Sequence, residues 1–116
     1  MNVKDIQNTI AEFARERDWD QYHNPKNLVM ALSVECAELT EEFQWLTQAQ
    51  ADNVMADPDK AQRVRDEMAD IAVYLLRLAD KLEVDLESAI HAKMVKNREK
   101  YPVEKCKGLA TKYDRL

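Results

Sequence analysis

The sequence predicts an all-α fold, a four-helix bundle, on three observations. One glycine (Gly108) and three prolines (Pro25, Pro58, Pro102) punctuate 116 residues, so long helices joined by few turns are expected. Apolar residues recur at three- and four-residue spacing instead of alternating, the period of a helix face. Asn24, Asp57 and Asp85 stand immediately before three of the periodic runs, the first two followed by proline. These residues suit a helix N-cap, and proline suits the first helical position.

The first helix is expected over residues 3–17, with Val3, Ile6, Ile10 and Phe13 on one stripe. The second begins after the Asn24 cap and runs to about Leu46, its seam formed by Leu28, Leu32, Cys36, Leu39, Phe43 and Leu46. "TQAQADNVMA" reads as a loop that holds at most a turn of helix. The third helix runs from Pro58 to about Leu82, with Val64, Met68, Ile71, Leu75, Leu78 and Leu82 as its seam. Val73 and Leu76 lie off that seam and suggest a second apolar face, for a subunit contact or for a short covering element. Asp85 caps a fourth helix that reaches Lys100 before "YP" stops it, and the basic remainder holds at most a short helical turn. The second and third helices, each about 30 Å or longer, should pack antiparallel.

The chain length suits one domain, residues 1–116. A composition 46% hydrophobic and 34% charged favours folding over disorder. The net charge of −5 discourages nucleic-acid and anionic-membrane partners. No apolar run approaches membrane-spanning length and the N-terminus lacks a signal-peptide core. Cys36 and Cys106 lack metal or redox spacing, and reduced thiols in a cytoplasmic protein are expected.

The second helix carries an oddity. Glu35 falls inside its apolar seam, with Glu38 and Glu42 at the edge. The third repeats it with Glu67 and Asp70, three residues apart. Antiparallel packing would bring Glu35 and Glu38 opposite Glu67 and Asp70. As solvated surface pairs such spacings are ordinary, but four carboxylates leaning into a seam repel one another and lose hydration. A hard divalent cation removes both penalties, so an all-oxygen site for Mg²⁺, or Mn²⁺, is expected. A di-iron site would want Glu-x-x-His pairs, which neither His23 nor His91 supplies. His23 reads as a loop residue and His91 as a surface one.

On the fourth helix Leu86 and Ile90 mark the buried stripe, which Lys93 and Asn97 continue at four-residue spacing. They either reach to water or hold an anionic ligand. A chain with one glycine has no Gly-rich phosphate loop. Phosphate would therefore need metal and side chains, and Trp19, Trp45 and Tyr74 could stack on a base or simply fill the core.

Those residues resemble a known family. Glu35-x-x-Glu38 followed by Glu67-x-x-Asp70 is similar to the signature of the MazG-like all-α nucleoside triphosphate pyrophosphohydrolases. "ERDWDQYHNPKNLVMALSVECAELTEEFQW", "DEMADIAVYLL" and "KMVKNREKYP" resemble its dCTP pyrophosphatase branch, in order, across about residues 3–115. The resemblance implies Mg²⁺-dependent cleavage between the α and β phosphates to a nucleoside monophosphate and pyrophosphate. It implies Glu35, Glu38, Glu67 and Asp70 as metal ligands, with Glu38 also assisting the attacking water. Lys93 and Asn97 would contact phosphates, with Tyr101 and Lys112 as weaker candidates, and Trp19, Trp45 and Tyr74 would shape the nucleoside pocket. Assembly as a homodimer or homotetramer is also implied. Ile10 stands where some members of the branch carry a histidine, which leaves the base preference open. Relatives acting on dUTP or other nucleoside triphosphates, and a non-catalytic acidic helical interaction module, remain the alternatives.

Overall fold

Each long helix begins where a side chain replaces the backbone acceptor that its first turn lacks. The computed structural model describes residues 1–116. It holds six α-helices and no strand: α1 Val3–Glu16, α2 Pro25–Phe43, α3 Gln48–Asp52, α4 Pro58–Lys81, α5 Leu86–Lys100 and α6 Val103–Cys106. Three 3₁₀ turns, Asp20–Tyr22, Val54–Ala56 and Tyr113–Arg115, complete it. Asn24 Oδ1 accepts from the Asn27 amide at 2.9 Å, Asp57 Oδ1 from Asp59 and Lys60 at 3.1 and 3.3 Å, and Asp85 Oδ1 from Ser88 at 3.0 Å. The three caps foreseen from the sequence all form. Asn2 caps α1 in the same way.

Two boundaries differ from expectation. The helix expected to reach Leu46 ends at Phe43, and α3 starts within the expected loop. Thr47 explains α3: its hydroxyl accepts from Gln50 N while Gln50 Oε1 accepts from Thr47 N, a reciprocal capping box. No helix is long and apolar enough to cross a membrane.

The chain divides into two compact units, Met1–Glu83 and Val84–Leu116. In the first, α2 and α4 pack along their lengths, and the side-chain partners prove them antiparallel. Glu42 near the end of α2 meets Lys60 and Arg63 near the start of α4, whereas His23, before α2, meets Arg77 near the end of α4. The core is built largely from small residues: Ala14, Ala61 and Ala79 with Leu28, Val64 and Leu76. Small side chains let backbones approach closely and leave the larger seam residues half-covered.

That packing revises several seam assignments. Cys36, Met68, Leu75 and Leu82 are exposed, and of the two expected seams only Leu28 and Val64 are fully buried. The face bearing Val73 and Leu76 is not free. α1 packs on α4, and the buried Gln7 amide donates to the Leu76 carbonyl at 3.0 Å. A helix of the same chain therefore covers the surface that the sequence offered to a subunit contact.

The second unit holds α5, α6 and the tail. Ile90 is exposed within α5, which buries no residue fully. Tyr101 and Tyr113 meet edge to face with centroids 6.2 Å apart, and the Lys100 ammonium stands 4.8 Å from the Tyr113 ring centre.

Candidate metal and nucleotide site

Three groups of charges run along the antiparallel pair α2 and α4. At one end Glu42 meets Lys60 at 3.2 Å and Arg63 at 3.1 Å. At the other, Asp20 is held by Arg77 at 2.6 Å and Lys81 at 2.5 Å. Both outer groups are neutralised. The middle one is not: Glu35, Glu38 and Glu67 each offer a carboxylate oxygen, and these oxygens lie within 4.8 Å of one another.

The middle cluster is poorly satisfied by protein. Glu35 Oε2 and Glu67 Oε2 are buried atoms without a hydrogen-bond partner. Burial and the neighbouring Glu38 and Asp70 charges raise the Glu35 pKa. Glu67 rises from 4.5 to about 7, first through its hydrogen bond with Glu35, then through burial and Glu38. One proton shared between Glu35 and Glu67 lowers the repulsion. A buried acceptor without a donor is costly, and three oxygen donors within reach of one another suit a hard divalent cation. The residues present fit such an ion.

Asp70 stands outside that trio but lines, with Glu35, an adjoining cavity of about 470 Å³. Trp19, Phe13, Ile10, Val73 and Tyr74 give this cavity its apolar walls. Burial first, then the charges of Glu35, Asp70 and Glu38, raise the Tyr74 pKa, so its hydroxyl keeps its proton. Trp19 arrives there through the end of α1. The Asp18 amide bonds Arg15 O at 3.1 Å and the Trp19 amide bonds Ala14 O at 2.9 Å, with Asp18 left-handed at φ 55°. This is a Schellman turn, whose accompanying apolar contact is the edge-to-face pair Phe13–Trp19, centroids 5.7 Å apart.

The structure thus brings Glu35, Glu38 and Glu67 together, with Asp70, Trp19 and Tyr74 at the adjoining cavity. Trp45 does not line this cavity; it follows α2 and is 85% exposed. Lys93 and Asn97 stand on α5 of the second unit, where Lys100, burial and Lys96 lower the Lys93 pKa and Asn97 contacts the Met94 sulfur at 3.6 Å. His91 is exposed beside Glu87, as its place on a helix surface suggested. Nothing in the linear pattern indicated that Phe13 lines the cavity or that Arg77, buried in its wall, is bonded to His23. An arginine on the same helix as Asp70 is unremarkable until His23 and Asp20 are folded onto it.

Residues 30–116 match the MazG-like family. Over 114 residues, 98% of this chain, the sequence is 42% identical to dCTP pyrophosphatase 1 of Rattus norvegicus and 40% identical to that of Homo sapiens, covering 67% of each. The fold matches the crystal structure of a pyrophosphatase from Archaeoglobus fulgidus with a TM-score of 0.81 and 37% identity, across 88% of this chain and 94% of that one.

Proposed function

The chain belongs to the MazG-like family, and from that premise we propose a divalent-metal-dependent nucleoside triphosphate pyrophosphohydrolase. Its substrate is dCTP or a modified relative, cleaved between the α and β phosphates to the monophosphate and pyrophosphate. Such an activity would clear unwanted nucleotides from the cytoplasmic pool. The observation that carries the reading is the carboxylate trio with two orphaned buried oxygens, set beside an aromatic cavity. A volume of about 470 Å³ lies within the ordinary range for small-molecule sites.

Glu35, Glu38, Glu67 and Asp70 would hold Mg²⁺, or Mn²⁺. The ion would neutralise phosphate charge and acidify a water. The protein's own part is placement. Glu38, the exposed member of the trio, accepts the proton of the attacking water as the α–β bridge breaks and pyrophosphate departs. Trp19 offers a ring face to the base, and Tyr74 closes the cavity toward the carboxylates. Lys93 and Asn97 are assigned to phosphate oxygens on the sequence resemblance alone. The proposal includes assembly as a homodimer or homotetramer of this chain.

The deciding experiment is pyrophosphate release from a panel of ribo- and deoxynucleoside triphosphates with and without Mg²⁺. Metal-dependent release, fastest from dCTP, is expected. Absence of release from every nucleotide would overturn the reading.

A further inference from the structure

We propose that His23 reads the base of the nucleotide as a permanent hydrogen-bond donor, and that Arg77 is the positioning residue that makes it one. The inference rests on the nucleotide reading of the cavity that both residues line.

The chemistry follows from one hydrogen bond. Arg77 Nε lies 3.2 Å from His23 Nδ1. A guanidinium can only donate, so Nδ1 must accept, and a neutral imidazole then carries its hydrogen on Nε2. The polar group left for a ligand is the Nε2–H. Arg77 is in no position to release the ring. It is 4% exposed, its other nitrogens face Asp20 at 2.6 Å and Asp80 at 3.7 Å, and Lys81 shares Asp20. Burial, then the charges of Arg77 and Lys81, hold the His23 pKa below its usual value against the opposing pull of Asp20. The ring therefore stays neutral and keeps its tautomer.

The other polar groups of the cavity are less suited to reading a base edge. The Thr9 hydroxyl donates to Asp5 O at 3.1 Å and offers only lone pairs. The Tyr74 hydroxyl feels the carboxylates and belongs to the phosphate end. The Trp19 N–H lies in the plane of a ring presented for stacking, so it runs alongside a stacked base instead of meeting its edge. A fixed donor discriminates among pyrimidines. Cytosine presents an unprotonated N3 that can accept it, whereas uracil and thymine present N3–H, which sets donor against donor. His23 would thus favour cytosine on the strength of one buried contact.

The test uses the full chain and measures affinity for dCMP and dUMP. Wild type should prefer dCMP by about tenfold, the scale of one hydrogen bond. His23→Leu should bring the ratio close to one. His23→Gln should retain the preference, because Oε1 can accept from Arg77 while the amide NH₂ donates. Arg77→Met should weaken the preference and convert the His23 ¹⁵N spectrum from one Nε2–H tautomer to a mixture. A folded His23→Leu with wild-type preference would overturn the proposal, as would an Nδ1–H tautomer in wild type. If His23→Leu fails to fold, the Gln variant and the tautomer decide instead. The hydrolase reading fails separately: a wild type that discriminates dCMP from dUMP but releases no pyrophosphate from dCTP retires the reaction and leaves the base reading intact. Equal binding of the two monophosphates by an active enzyme does the reverse.

Discussion

Glu67 concentrates the chemistry of this chain in one side chain, because its carboxyl is held near pH 7 by another carboxyl. Its folded-state pKa exceeds the ordinary 4.5, so the folded protein binds the extra proton. The associated stability is complete below pH 4.5 and is lost as pH rises toward about 7. Metal-free melts should therefore show Tm falling across that window, and Glu67→Gln, which cannot ionise, should flatten the slope. A cation replaces the proton, so Mg²⁺ should restore wild-type Tm at pH 7.5. Glu38→Gln or Asp70→Asn should cut pyrophosphate release by about a hundredfold or more without lowering the metal-free Tm, and Mg²⁺ should stabilise either less than wild type. Full Mg²⁺-dependent activity in either variant would remove that carboxylate from the site. The two indoles should behave differently. Trp19 lines the cavity, and Trp19→Ala should raise the KM for dCTP about tenfold, since base stacking on an aromatic contributes about 1–3 kcal/mol. Trp45 is 85% exposed, so Trp45→Ala should change stability by no more than about 0.5 kcal/mol. A large loss of Tm would mean the indole is buried in solution.

At the scale of elements, the end of α1 matters more for the site than its length does. The Schellman turn sends the chain back so that Trp19 lands on Phe13, and it requires a left-handed residue at position 18. Asp18 fills that position at φ 55°, a conformation that side chains other than asparagine and aspartate rarely adopt and glycine adopts freely. Asp18→Gly should stabilise the protein by about 0.5–1 kcal/mol, the left-handed strain relieved less the added entropy of the unfolded chain, read as a Tm higher by a few degrees, with the KM for dCTP unchanged because the turn is preserved. A lower Tm would show that the Asp18 carboxylate, which accepts from Gln21 at 3.1 Å, outweighs the backbone strain. The antiparallel contact of α2 with α4 has its own logic. Its outer charges are neutralised by Lys60 and Arg63 at one end and by Arg77 and Lys81 at the other. Repulsion is thereby confined to the one place where a cation can relieve it.

For the whole molecule, apolar surface remains after the first unit has packed. Val29, Met30 and Val34 on α2, with Met68 and Leu75 on α4, are exposed, while α1 already covers Leu76. A chain of 116 residues buries a modest core by itself, and exposed apolar patches mark contact surfaces. Light scattering at micromolar concentration should give the mass of a dimer or tetramer. Met68→Glu with Val34→Glu should shift it toward the monomer. A wild-type monomer would overturn this expectation and leave the exposed methionines and valines without a role in assembly.

Local chemistry determined what the sequence could show. Helix starts depend on a cap residue and the three amides after it, so Asn24, Asp57 and Asp85 could be read directly. Glu35 could be singled out because a charge inside an apolar period stands out in one dimension. Burial is different, since it depends on which neighbour arrives. Periodicity put Cys36 and Met68 in a seam that the folded chain leaves open, and it offered Leu76 to a partner although α1 occupies that face. His23 and Arg77 are separated by 54 positions in sequence, and nothing local to either announces the other. Their hydrogen bond exists because α2 and α4 run antiparallel, and only tertiary structure could turn a loop histidine and a helix arginine into one device.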